Sequence, residues 1–134
     1  MTRLEQRYNE LVASGWGPGV DLPFLNVPTG DGVGTWFTWT TTGGVNVALY
    51  DSPDTEPFEV HGVILLTYQA QEGPLGILGY PTSDEYDHVV GPTVVGRVSD
   101  FERGAIFWSS ADGQTAVFEF LGGADPEHEF EEVD

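Results

Sequence analysis

The sequence predicts an α+β domain of two pseudo-symmetric units, each a short helix packed on small antiparallel β-hairpins. Three observations predict it. A capped amphipathic segment opens the chain, short β-branched and aromatic runs separated by glycine turns fill most of the rest, and the same order of elements occurs twice. The units span about 3–62, a degenerate copy, and 63–121, a regular one, inside a single domain over residues 1–123. Residues 124–134 read as an acidic, disordered tail.

The opening helix is capped by Thr2, with Glu5 three residues on as the partner of a capping box. Leu4, Tyr8, Leu11 and Val12 share one face, and Gly15 with Gly17-Pro18-Gly19 ends the helix. A second helix candidate, Val63 to Gln71, has an apolar start that also suits a strand, and Gly73-Pro74 stops it either way. Strands are expected over Thr35–Thr42, Val45–Tyr50, Val94–Val98, Ala105–Ser109 and Thr115–Leu121. Gly43-Gly44, Gly91-Pro92 and Asp112-Gly113 supply the turns, and Asp112-Gly113 between two strand-like runs is a hairpin signal.

Laying the halves together matches Ala48-Leu49-Tyr50-Asp51-Ser52 to Ala105-Ile106-Phe107-Trp108-Ser109, Val60 to Val117, and Ile64 to Leu121. Upstream, Leu25-Asn26-Val27-Pro28-Thr29-Gly30-Asp31 falls on Leu78-Gly79-Tyr80-Pro81-Thr82-Ser83-Asp84, and the helices align through Tyr8 and Tyr68.

The totals bound the function. A chain of 134 residues that is 40% hydrophobic can build a real core, which excludes wholesale disorder. There is no cysteine, so disulfides and thiolate metal sites are excluded. Four arginines and no lysine stand against 22 acids, a net charge of -18, and the six acids of Ala124–Asp134 account for only part of it. Such a surface repels phosphate backbones and anionic lipid, so no nucleic-acid partner is expected. Three readings of the acidity stay open: halophilic adaptation to a high-salt cytoplasm, a surface that meets a cationic partner, or a merely acidic soluble protein. No apolar run approaches a membrane span, so no membrane insertion is expected. No signal peptide is visible, so the chain reads as cytoplasmic or particle-borne unless it is excised from a secreted precursor.

The second half carries a recognisable pattern. Gly76-Ile77-Leu78-Gly79-Tyr80-Pro81-Thr82-Ser83-Asp84-Glu85 resembles the LG(F/Y/A)PTSDE core of LGFP repeats. Gly96 to Ser109, with Arg97, Phe101, Gly104, Ile106 and Trp108 in place, resembles that family's following segment; Asp112-Gly113 and Val117 fit what comes next. His61-Gly62-Val63-Ile64, after Val60, is similar to the junction between consecutive units. LGFP repeats occur in surface and secreted proteins, beside mycolyltransferase and hydrolase domains in actinobacteria. The resemblance implies a non-catalytic module that holds a protein on cell-wall glycan, arabinogalactan or peptidoglycan. The first unit departs from the pattern, with Asn26 in place of the motif glycine and no Phe-x-x-Gly-x-Ile match.

The candidate residues follow. Leu78, Gly79 and Pro81 set a fixed turn, whose Thr82, Ser83 and Asp84 can accept backbone amides. Phe101, Ile106, Val117 and Leu121 read as core, and Gly104 as a turn or bulge. Trp36, Trp39, Trp108, Tyr80 and Tyr86 are candidates for stacking on a sugar, although each tryptophan also fits a core role. Trp36 and Trp39, three apart on a strand, must face opposite sides. Asp84, Glu85, Asp100 and Asp112 could accept sugar hydroxyl protons. The ligand-binding set is therefore Tyr80, Asp84, Glu85, Asp100 and Trp108.

His61, His88 and His128 are scattered; only Asp84 to His88 gathers metal-ligand types, without EF-hand spacing, and reads as a solvated acidic loop. No metal and no cofactor are expected. Without a nucleophile elbow, a cysteine or a base beside Ser83, no enzyme is expected either. The expected partner is cell-envelope glycan. The competing reading is a structural or assembly protein that contacts a protein partner through the repeat surface and the acidic tail, with Phe130 as anchor, or that forms a homodimer to cover open repeat ends.

Overall fold

A computed structural model describes residues 1–120 and 130–133. The core role expected of Leu121 and the reading of residues 124–129 and 134 as tail lie outside the described residues.

The chain is α+β. Helix α1 (Arg3–Leu11) begins where the Thr2 hydroxyl accepts the Glu5 amide at 3.2 Å, as the sequence requires of an N-cap. Leu4, Tyr8 and Leu11 are buried. Val12, expected on the same face, is instead exposed: it continues the α-helical backbone at the edge of the Leu4–Tyr8–Leu11 stripe, where the helix passes into a π turn over Val12–Trp16.

An antiparallel sheet follows in the order β1 (Val27–Pro28), β2 (Thr35–Thr40), β3 (Asn46–Ser52), β4 (Thr55–His61). Helix α2 (Gly62–Ala70) starts directly at the end of β4, which resolves the helix-or-strand ambiguity of its apolar run. A second antiparallel sheet holds β5 (Tyr86–Val90), β6 (Thr93–Phe101), β7 (Gly104–Ser109), β8 (Thr115–Phe120) and β9 (Phe130–Val133). Strand β9 corrects the expectation of disorder over that part of the tail: Phe130 to Val133 pair with Phe120 to Val117. Strand β5 likewise takes up Tyr86, Asp87 and His88, expected in a solvated loop.

Strand periodicity explains the layering. On β3, Val47 and Leu49 point to one face and pack with Leu4, Tyr8 and Leu11 of α1, joined by Phe37 and Trp39. Ala48 and Tyr50 point to the other face and pack with Ile64, Leu65 and Tyr68 of α2. The first sheet therefore lies between the two helices. Helix α2 lies in turn between the sheets, since Phe101, Ile106 and Val117 of the second sheet close the same cluster. Trp36 packs on the α2 side and Trp39 on the α1 side, the opposite facing that their spacing demands.

Each half thus runs helix then antiparallel meander, but the residue-by-residue match breaks at two places. Leu49 pairs with Glu59, whereas Ile106 pairs with Val117, so the counterpart of Val117 by register is Glu59 and not Val60. A one-residue shift reverses the face, and it comes from where the hairpins close: the first on Ser52 and Thr55, the second on Trp108 and Thr115. Leu78 is fully buried, but Leu25, its sequence match, is 58% exposed. Gly79 takes a left-handed φ of +77°, which Asn26 does not adopt, so the first turn cannot aim its leucine inward in the same way.

Candidate functional site

The two motifs of the second half fold onto each other. The Glu102 amide donates to the Tyr80 carbonyl (2.9 Å), the Tyr80 amide to Glu102 Oε1 (2.9 Å), and the Arg103 amide to the Leu78 carbonyl (3.0 Å). The Arg103 guanidinium donates to the carbonyls of Ile77 (2.8 Å) and Gly76 (3.2 Å). Pro81 bridges to Phe101, Thr82 N–H donates to the Asp100 carbonyl, and Ser83 Oγ accepts the Asp100 amide. Leu78, Gly79, Pro81, Phe101, Gly104 and Ile106 form this clasp and the core beneath it.

Tyr80 reaches from the clasp into the first half. Its hydroxyl donates to the Asp31 carboxylate (2.8 and 3.0 Å) and meets Thr29 Oγ1 at 2.7 Å. Burial pushes this hydroxyl up to about 12, with Thr29 opposing and the Asp31 charge adding to the push. Only 4% of Tyr80 is exposed, which corrects its assignment to a sugar-stacking surface: the ring is committed to the joint between the halves.

The other sequence-predicted ligand residues divide. Asp84 accepts the Glu59 amide (3.0 Å) and pairs with Arg7 of α1 (2.5 Å). Asp100 accepts the Tyr86 hydroxyl at 2.9 and 3.0 Å, and burial raises its carboxyl while that hydrogen bond holds it down. Neither lies with Trp108. Glu85 does.

Glu85 belongs to a cluster that the sequence did not reveal. His61, the last residue of β4, places Nδ1 2.6 Å from Glu59 Oε2 and Nε2 3.2 Å from Glu85 Oε2. Arg97 Nε donates to the same Glu85 oxygen at 2.8 Å, and its Nη1 to Asp87. The Glu85 amide donates back to Glu59 Oε1, and the Trp16 ring meets the His61 ring edge-on at 4.8 Å. Burial works against a charged His61, but the two carboxylates outweigh it and hold its pKa up to about 9. Burial works to raise the Glu85 carboxyl, but His61 and Arg97 overcome it and hold it below the usual carboxylate range. Both imidazolium N–H groups are spent on carboxylates, so at neutral pH the cluster offers neither a free base nor an available acid.

The signs set a pH window. His61 has its folded-state pKa above the ordinary value of about 6.5, so its contribution to stability is complete below that value and is lost as pH rises through about 9. The urea midpoint is expected to fall between pH 6.5 and 9, and His61→Gln to flatten that fall; a wild-type midpoint unchanged over the window would contradict the ion pairing.

His61, Glu85 and Arg97 line a groove of about 190 Å³ together with Gly62 to Ile64 at the start of α2 and the half-buried indole of Trp108. Trp108 also lines a larger groove of about 520 Å³ along the β7–β8 turn, where Ser109, Asp112 and Gln114 add polar groups and His88 an aromatic edge. Sequence reasoning found Glu85, Trp108 and Asp112 but not His61, Glu59 or Arg97. Their partners stand up to 26 residues away, across two sheets, where no local spacing signals them.

Among the described residues no group of three or more His, Cys, Asp or Glu side chains is arranged to hold a metal ion, and no helix is long and apolar enough to cross a membrane. No curated protein matches the chain. Residues 78–124, which carry the clasp and the strands that follow it, match the family model of the LGFP repeat, the family that the motifs themselves resemble.

Proposed function

We propose that this chain is a non-catalytic binding module for cell-envelope carbohydrate, with its ligand laid across Trp108. The observation that carries the reading is the convergence on one indole of two grooves lined by polar groups, Glu85 and Arg97 in one and Asp112 and Gln114 in the other. An aromatic face flanked by hydrogen-bonding groups, of which Glu85 and Arg97 are held by their ion pairs, is the chemistry that recognises a pyranose: its C–H face packs on the ring and its hydroxyls meet acceptors and donors. The ion pairs cut the entropy lost on binding. The occupied protons of the His61 cluster support a role without catalysis, and the match to the LGFP repeat supports attachment to cell-wall glycan. The repeated order of helix and meander supports descent of the first half from the same unit.

Retention on immobilised arabinogalactan and peptidoglycan, at low and high salt, tests the reading. The intact chain is expected to be retained, and Trp108→Ala to weaken retention roughly tenfold or more. If the intact chain passes through both matrices while light scattering shows it self-associating, the assembly reading replaces this one.

A further inference from the structure

We propose a second carbohydrate subsite at the far end of α2, built by Trp36, Gln69 and Glu72; it rests on the carbohydrate reading above and extends it from one sugar unit to a polymer. A groove of about 230 Å³ opens there, lined by Thr29, Trp36, Tyr50, Gln69, Glu72 and Leu75 among others. Trp36 lies parallel to Tyr50, 5.5 Å between ring centroids and 7° between planes, so the indole is held flat by a ring that is itself buried. Gln69 lines the same groove beside Tyr50 and adds an amide to its polar rim.

Glu72 stands on the same rim. It takes a left-handed φ of +69°, and among the described residues no other non-glycine residue has a positive φ. It stands just past the end of α2, where a helix terminating in this conformation ordinarily has glycine, because a Cβ is disfavoured there. A side chain kept at that position against the backbone preference puts a carboxylate on the rim of an aromatic groove.

The two grooves flank opposite ends of one helix of nine residues, about 14 Å long. A single polysaccharide chain that reaches both gains affinity from the second contact without any change in the first.

The test uses the full chain with soluble arabinogalactan and peptidoglycan fragments, comparing wild type, Trp36→Ala, Glu72→Gly and Trp108→Ala by affinity and by urea midpoint. Glu72→Gly is expected to weaken binding of the polymer roughly tenfold while leaving the urea midpoint equal to or above that of wild type, a combination that a merely structural residue would not give. Trp36→Ala is expected to weaken binding similarly. Wild-type affinity in both Trp36→Ala and Glu72→Gly, with loss in Trp108→Ala, overturns the second subsite and leaves the first groove standing. Loss in Trp36→Ala and Glu72→Gly with none in Trp108→Ala upholds the second subsite and removes the first. Absence of binding by wild type overturns both.

Discussion

Gly104→Ala is expected to destabilise the fold by about 3 kcal/mol, at the severe end for adding a single methyl group to a packed interior. A Cβ at this position would sit 2.0 Å from the Phe118 carbonyl oxygen and 2.6 Å from Leu78 Cδ2. The first neighbour is backbone of the adjoining strand and the second is a core side chain with 0% exposure, so neither can move aside alone. Relief would part β7 from β8 or lift Leu78 out of the clasp. Urea denaturation measures the effect, and a loss below about 0.5 kcal/mol would show that the Gly104 backbone can shift freely.

Tyr68→Ala is expected to cost about 4 kcal/mol, the range for deleting a fully buried aromatic ring. Tyr68 is the largest side chain through which α2 touches both sheets. Its ring meets Tyr50 edge-on at 5.2 Å and stacks on Phe101 at 4.5 Å, and its hydroxyl donates to the Gly79 carbonyl at 2.6 Å. Tyr68→Phe keeps the rings and strands only the Gly79 carbonyl, so about 1 to 2 kcal/mol is expected for it. The two substitutions together separate packing from the hydrogen bond. Equal losses in both would place the whole effect on the hydroxyl and contradict the packing account. Because the halves share this core, both variants should unfold in one transition.

The four arginines show how so acidic a chain holds its halves together. Arg3 pairs with Asp51, Arg7 with Asp84 and Glu10, Arg97 with Glu85 and Asp87, and Arg103 caps the carbonyls of the Leu78 turn. Each arginine has an internal partner, which leaves the remaining carboxylates to dominate the field around the molecule. Exposed pairs of this kind contribute little each. Their role is placement: Arg7 fixes α1 to the turn of the second half, and Arg97 fixes Glu85 beside Trp108.

What the sequence determined by itself is whatever depends on neighbours along the chain. The Thr2 cap, the burial of Leu4, Tyr8 and Leu11, the opposite facing of Trp36 and Trp39, and the Leu78–Pro81 turn all follow from local periodicity and backbone preference. So did the resemblance of the second half to the LGFP repeat, because those motifs are turns with fixed spacing. Tertiary structure decided the rest. It drew Tyr80 inward to Asp31, moved the Val117 counterpart to Glu59 through a one-residue change of hairpin register, and turned Asp87 and His88 from loop into strand. It alone assembled Glu59, His61, Glu85 and Arg97, because a charge is held in a half-buried position only when partners from other strands arrive to satisfy it. No spacing along one strand encodes which residues of another sheet those partners are.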